Sequence, residues 1–230
     1  MKKIECLKII ALLFLTVPIF AETKLKKPYH HTDEGAFRNP KGSPRLSPDK
    51  KFSFFTFQKE KRKIKVKIPR THVIDRSEVL KNIKNLENED YIVWIGHATF
   101  IIKLGSTTII TDPYFSANAG PVIFGPKRYV KPAIKLNDIP EINLFLLTHN
   151  HYDHLDYSTI KNFPFKNSKI LTPLNLGKYF INNGFNDVTE MDWYQETKVK
   201  DLVITMLPAI HWSKRTLTDT NKTLWGSYLI

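Results

Sequence analysis

The sequence predicts an α+β sandwich with a metal site at the end of one strand. Three β-rich runs follow one another between Tyr91 and Thr111, and strands alternate with helices after Pro140. Apolar residues make up 42% of the chain and aromatics 12%, enough to build a sizeable core. The segment His149-Asn150-His151-Tyr152-Asp153-His154 places four potential metal ligands in one short loop directly after an apolar run.

Taken in order, the chain starts with Lys2 and Lys3, the apolar run Ile9 to Phe20, and Ala21. This is the pattern of an export signal over residues 1–21, and its run is shorter than the roughly twenty residues a spanning helix needs. The expectation is a mature chain beginning near Glu22 outside the cytoplasm, periplasmic or membrane-associated. Cys6 is the single cysteine and precedes that run, so the mature chain would hold no disulfide and no thiolate ligand.

Residues 22–88 read as a basic N-terminal extension. Its first part, 22–50 with His30 and His31, has little periodicity and is expected to be an extended arm packed on the domain or partly disordered, without chemistry of its own. Between Lys59 and Lys67 the cations alternate with Ile64 and Val66, which predicts a strand with one solvated face. Phe52, Phe54, Phe55 and Phe57 lie just upstream, and aromatics beside lysines can dock on a phospholipid surface. Leu80, Ile83 and Leu86 then predict a short surface helix. The formal charge of +13 suits an anionic membrane surface. It also suits phosphate backbones, but no nucleic-acid partner is expected.

Residues 89–230 carry the domain. Tyr91 to Ile95, Thr99 to Leu104 and Thr107 to Thr111 predict strands, the last two joined by a turn at Lys103-Leu104-Gly105-Ser106. A loop over 113–140 is rich in proline and glycine. Ile142 to Thr148 predicts the buried strand that delivers the histidine loop. Beyond it come a helix at Tyr157 to Asn162, a strand at Lys169 to Thr172, a helix at Asn175 to Asn183 closed by Gly184, and a strand at Val188 to Met191. Strands within Lys198 to Leu207 deliver His211, and Trp225 to Ile230 predicts a last strand with no sheet to join.

On an extended segment residues i and i+2 point the same way, so His149 and His151 can grip one ion while Asp153 and His154 face a second. His97 and Asp112 each follow a strand and can orient these ligands through hydrogen bonds. Tyr152, Lys214 and Arg215 offer donors that suit phosphoryl oxygens.

The motif HxHxDH after an apolar strand resembles the metallo-β-lactamase superfamily. Trp94-Ile95-Gly96-His97-Ala98-Thr99, Thr111-Asp112-Pro113, Gly125-Pro126-Lys127-Arg128, His149 to Asp156 and His211-Trp212-Ser213-Lys214-Arg215-Thr216 together resemble the N-acylphosphatidylethanolamine phospholipase D family. His30-His31-Thr32, Phe37-Arg38-Asn39-Pro40 and Leu224-Trp225-Gly226-Ser227 are similar to its bacterial members. The resemblance implies an αββα sandwich and two Zn2+ ions, the first on His149, His151 and His211 and the second on Asp153 and His154. The latter two would be the catalytic pair. Such ions make water more acidic and neutralise a phosphoryl oxygen, so no side-chain nucleophile is required.

The implied reaction cleaves N-acylphosphatidylethanolamine to an N-acylethanolamine and phosphatidic acid. Family enzymes add a bridging Asp from a Gly-Asp-Thr-Gly-like turn and a further His, and neither occurs before Ile230. The expectation is therefore the N-terminal part of the fold, holding one zinc or fewer with impaired activity. Asp219, the one carboxylate after His211, matches a segment that precedes the bridging residue. The alternatives are a hydrolase of the same fold acting on a lactone, a sugar phosphate or RNA, or a non-catalytic truncated fragment.

Overall fold

A computed structural model describes residues 27–44, 53–64, 67–121 and 125–230. The expected export signal lies outside the described residues, as do Phe52, Lys65 and Val66. Two sheets and four α-helices organise the described part.

The larger sheet has six strands in sequence order: β1 (Tyr91–Gly96), β2 (Thr99–Leu104), β3 (Thr107–Thr111), β4 (Leu144–Leu146), β5 (Lys169–Pro173) and β6 (Val188–Met191). The first three form antiparallel hairpins, and β3 to β6 run parallel. The smaller sheet is antiparallel, with β7 (Glu196–Val199), β8 (Leu202–Leu207) and β9 (Ser227–Leu229).

The two-residue strand period sorts the core into two halves. Ile110, Phe145 and Ile170 face the helical side, where they meet Ile160 of α3 (Tyr157–Asn162), Phe180 of α4 (Lys178–Ile181) and Phe185. Val79, Leu80 and Ile83 of α2 (Arg76–Asn85) close that side. Ile109, Leu144, Leu146 and Leu171 face the other way, onto Val199, Ile204, Met206 and Trp225. Both faces of β4 are therefore covered, which is why its sequence is apolar without alternation. The described residues make three layers of a metallo-β-lactamase-type sandwich: helices, the six-stranded sheet and the three-stranded sheet.

Several expectations are corrected. The strand over Lys59 to Lys67 is instead the end of a helix, α1 (Phe54–Lys63). The Lys59, Glu60 and Lys63 side chains lose little freedom in a helix, Ser53 Oγ accepts the Thr56 amide at 3.3 Å, and Glu60 pairs with Lys63 one turn on. The helix expected from Asn175 shrinks to Lys178–Ile181, because Asn175 adopts a left-handed φ of 70°. Gly184 still closes it, with a φ of 85°. The final strand does find a sheet: Ser227–Leu229 pairs with β8, and the Tyr228 hydroxyl donates to Leu147 O at 2.8 Å. The 113–140 loop includes a 3-10 turn at Leu136–Asp138, where Arg76 Nε donates to Asp138 Oδ2 at 2.7 Å.

Candidate metal centre

Three ends of the large sheet converge on one spot. β1 carries a bulge between Trp94 and Gly96, and Gly96 has a φ of 131°. That φ requires glycine, and a side chain there would meet the Arg128 guanidinium at 2.9 Å and displace it. The bulge turns His97, itself left-handed at φ 54°, towards the loop after β4. β3 ends in Asp112, another left-handed residue at φ 36°. Non-glycine residues held in this region store backbone strain, and these two stand beside the histidine loop.

Asp112 is buried and organises that loop. Its Oδ1 accepts the Thr148 amide at 2.7 Å, while Oδ2 accepts the Thr148 hydroxyl at 2.6 Å and His154 Nδ1 at 2.7 Å. Burial alone would lower the pKa of His154, but the bond to Asp112 and its charge outweigh burial and raise it. With Nδ1–H given to Asp112, His154 turns Nε2 outward as a lone pair. That nitrogen lies 3.3 Å from His97 Nε2, and His97 Nε2 lies 3.0 Å from Asp153 Oδ2. His97 thus stands beside these donors, and His97, Asp153 and His154 bring their ligand atoms within 4.8 Å of one another.

The second cluster is His149, His151 and His211. His149 Nε2 lies 2.9 Å from His151 Nδ1 and 3.0 Å from His211 Nε2, and the last two are 3.2 Å apart. Ligand nitrogens about 2.0–2.1 Å from a tetrahedral zinc would be roughly 3.3 Å apart, close to this triangle. Burial, then the neighbouring rings, push His149 well below its usual pKa and His151 down to about 4. His211 is lowered chiefly by burial. All three are neutral at pH 7, and three neutral ring nitrogens aimed at one point cannot satisfy one another by hydrogen bonds. His151 presents Nδ1 and leaves its Nε2 buried without a protein partner, a penalty of about 1–3 kcal/mol that a ligand on Nδ1 would offset. The donor set fits a borderline transition metal such as zinc. The His149 and His154 rings are 3.9 Å apart between centroids, so the two clusters adjoin.

The residues expected to meet a phosphate are placed unequally. Arg215 is clipped to the histidine loop, with Nη1 donating to Asn150 O at 2.9 Å and Leu155 O at 2.7 Å and the guanidinium 4.0 Å over the Tyr152 ring. The Tyr152 hydroxyl donates back to Arg215 O. Both brace the ligand loop, and both also line the adjoining cleft with Lys214, Trp212 and Leu217. Asp219 accepts the Arg215 and Thr216 amides and caps its own turn.

A groove of about 630 Å³ opens on the other side of the centre, between α2 and β1. Val73, Ile74, Ile83, Ile92 and Trp94 make its wall, and His97 with Arg128 closes its inner end. Arg128 lies 4.4 Å over the Tyr114 ring and donates to Tyr114 O at 2.6 Å. The sequence reading assigned no role to Arg128 or Trp94, although Gly96 before His97 was a readable sign of close approach.

Fold and donor clusters together define a domain of the metallo-β-lactamase class. The model of the β-lactamase superfamily domain matches residues 107–230, and the chain belongs to that superfamily. It is 36% identical over 152 residues to N-acyl-phosphatidylethanolamine-hydrolyzing phospholipase D 1 of Caenorhabditis elegans, covering 61% of this chain and 43% of that one. It is 34% identical over 145 residues to the mitochondrial N-acyl-phosphatidylethanolamine-hydrolyzing phospholipase D of Saccharomyces cerevisiae, covering 61% and 31%. A metal-dependent hydrolase of Koribacter versatilis is 26% identical over 136 residues, covering 59% and 52%. The chain spans less than half the length of the two phospholipases it matches.

Proposed function

We propose that this protein is a zinc-dependent hydrolase of acylated phosphodiesters, with N-acylphosphatidylethanolamine as substrate. The observation that carries the reading is the apolar groove ending at His97, because it brings a hydrocarbon chain to the edge of the donor clusters. The two phospholipase relatives support the same substrate class.

His149, His151 and His211 would hold one ion, and His97, Asp153 and His154 a second. Bound there, the ions would neutralise phosphoryl charge and make a water more acidic. The protein's own groups do the rest. The groove takes an acyl chain, Arg128 at its end and Lys214 across the centre face the phosphodiester anion, and Asp112 keeps His154 Nε2 free. Asp153, the one carboxylate in the two clusters, is placed to take a proton from the attacking water. The water oxygen bonds to phosphorus, the bond from phosphorus to the ethanolamine oxygen breaks, and that oxygen leaves with a proton.

Among the described residues no helix is long and apolar enough to cross a membrane. We assign the mature protein to the exported compartment from residues 2–21 alone, with residues 22–88 as a basic extension that meets an anionic surface. The test is turnover of N-acylphosphatidylethanolamine in mixed micelles with added zinc, against a lactone and a sugar phosphate. Faster cleavage of the lipid supports the reading. Faster cleavage of a soluble substrate overturns it in favour of a second reading, a hydrolase of another small molecule, which the Koribacter relative favours.

A further inference from the structure

Residues 27–44 form a strap packed on Asp192, Trp193 and the segment between β8 and β9. His30 Nε2 donates to Asp192 Oδ1 at 2.5 Å and His31 Nε2 to Asp192 Oδ2 at 2.7 Å, and the His30 ring stacks on Trp193 with 4.2 Å between centroids. The strap then folds back around Gly35, pairing His31 with Phe37. Phe37 is buried in the core between the sheets, and its amide donates to Asn221 O at 2.8 Å. Two residues later Asn39 Oδ1 accepts the backbone amide of His211 at 2.8 Å.

His211 sits at the start of a long irregular segment between β8 and β9. No sheet ladder fixes it, whereas His149 and His151 follow β4 directly. The other end of the segment is tied by Asn221, which exchanges hydrogen bonds with Ser213. The strap therefore grips the segment at three places, at Asn221 through Phe37, at Lys222, whose Nζ donates to Glu34 O at 2.7 Å, and at His211 through Asn39.

We infer that Asn39 is a positioning residue for His211, held in place by the strap that His30 and His31 clamp to Asp192. This rests on His211 being a metal donor. Partners behind a ligand typically change metal affinity by about 10–100-fold when removed. Here the partner holds the ligand's backbone and leaves its ring free, so the expected effect is about tenfold.

The experiment is cobalt(II) titration of the full chain, followed by the visible absorption of the bound ion, with thermal unfolding as a control on the fold. Asn39→Ala should weaken cobalt binding about tenfold and alter the spectrum. Asn39→Asp, which keeps the acceptor, should restore both. In a His211→Ala background, Asn39→Ala should have no further effect. Wild-type affinity and spectrum in Asn39→Ala would overturn the inference, as would an equal loss in the His211→Ala background. Should Asn39→Ala fail to fold, His31→Gln carries the test: it loosens the strap at a distance and should weaken cobalt binding by a smaller factor, and unchanged binding would overturn the inference. Wild-type protein that binds no cobalt would instead sink the metal reading itself.

Discussion

Two trios in this molecule have the same composition and opposite chemistry. His30, His31 and Asp192 bring donor atoms within 4.8 Å of one another, and so do His97, His154 and Asp153. In the first, each ring N–H points at its own oxygen of a single carboxylate, and the Trp193 amide adds a third donor at 2.8 Å. Every hydrogen has an acceptor. In the second, Asp112 stands behind His154 and takes its N–H, so the nitrogen that faces the trio is a lone pair. Acceptors then outnumber donors, and a cation is what balances them. The neighbouring trio His149, His151 and His211 carries the imbalance further, since no carboxylate belongs to it. Proximity of histidine and aspartate does not make a metal site; the surplus of lone pairs does.

The sharpest way to break this comparison is to remove a donor from each side. His149→Ala should lower metal affinity by more than about 100-fold, since a ligand matters more than the partners behind it. Asp192→Asn should leave the number of ions bound at saturation unchanged. Metal analysis after dialysis reads both. An ion kept by the first variant and lost from the second would reverse the assignment of the two regions.

How much of this was legible depended on sequence distance. Strand periodicity gave β1 to β3 almost to the residue, and the HxHxDH spacing located the centre, because both are local patterns. The strap was not legible: His30 and Asp192 are 162 positions apart, and nothing near His30 signals a carboxylate partner. Ile64 among the cations suggests a strand because a few alternating residues fit either period, while the helix-forming composition around Lys59 points to the helix. The expectation of an unpartnered final strand rests on the missing second half of the sandwich, whereas β8 offers it an edge within this chain. His97 was read as an orienting group because the bulge that turns it inward is a property of paired strands. Arg215 and Tyr152 satisfy each other and the loop, a pairing no residue type announces.

A second variant sharpens the contrast within the centre. Asp112→Asn should keep a hydrogen-bond partner for Thr148 but release His154, whose pKa falls without the carboxylate and whose outward nitrogen is no longer fixed. Affinity at the His97, Asp153 and His154 cluster should drop about 10–100-fold, with a smaller change at the three-histidine cluster. Cobalt titration resolves the two phases. Equal weakening of both would mean that Asp112 acts on the whole loop through Thr148 and not on His154.

The smallest expected effect concerns the clamp as a purely structural device. Burial would raise the pKa of Asp192, but hydrogen bonds from His30, the Trp193 amide and His31 outweigh it and hold the carboxyl below its usual range. A depressed carboxylate contributes stability that is fully present above the unfolded value near 3.9 and is lost as pH falls through the lower folded value. Asp192→Asn should therefore cost about 1–2 kcal/mol in urea unfolding at pH 7, the scale of bonds to a charged group partly shielded from water. That difference from wild type should persist down to about pH 4 and shrink only below it. A gap that closes between pH 7 and pH 5 would show that the charge on the Asp192 carboxylate does not control the clamp, and the two trios would then differ less than their geometry indicates.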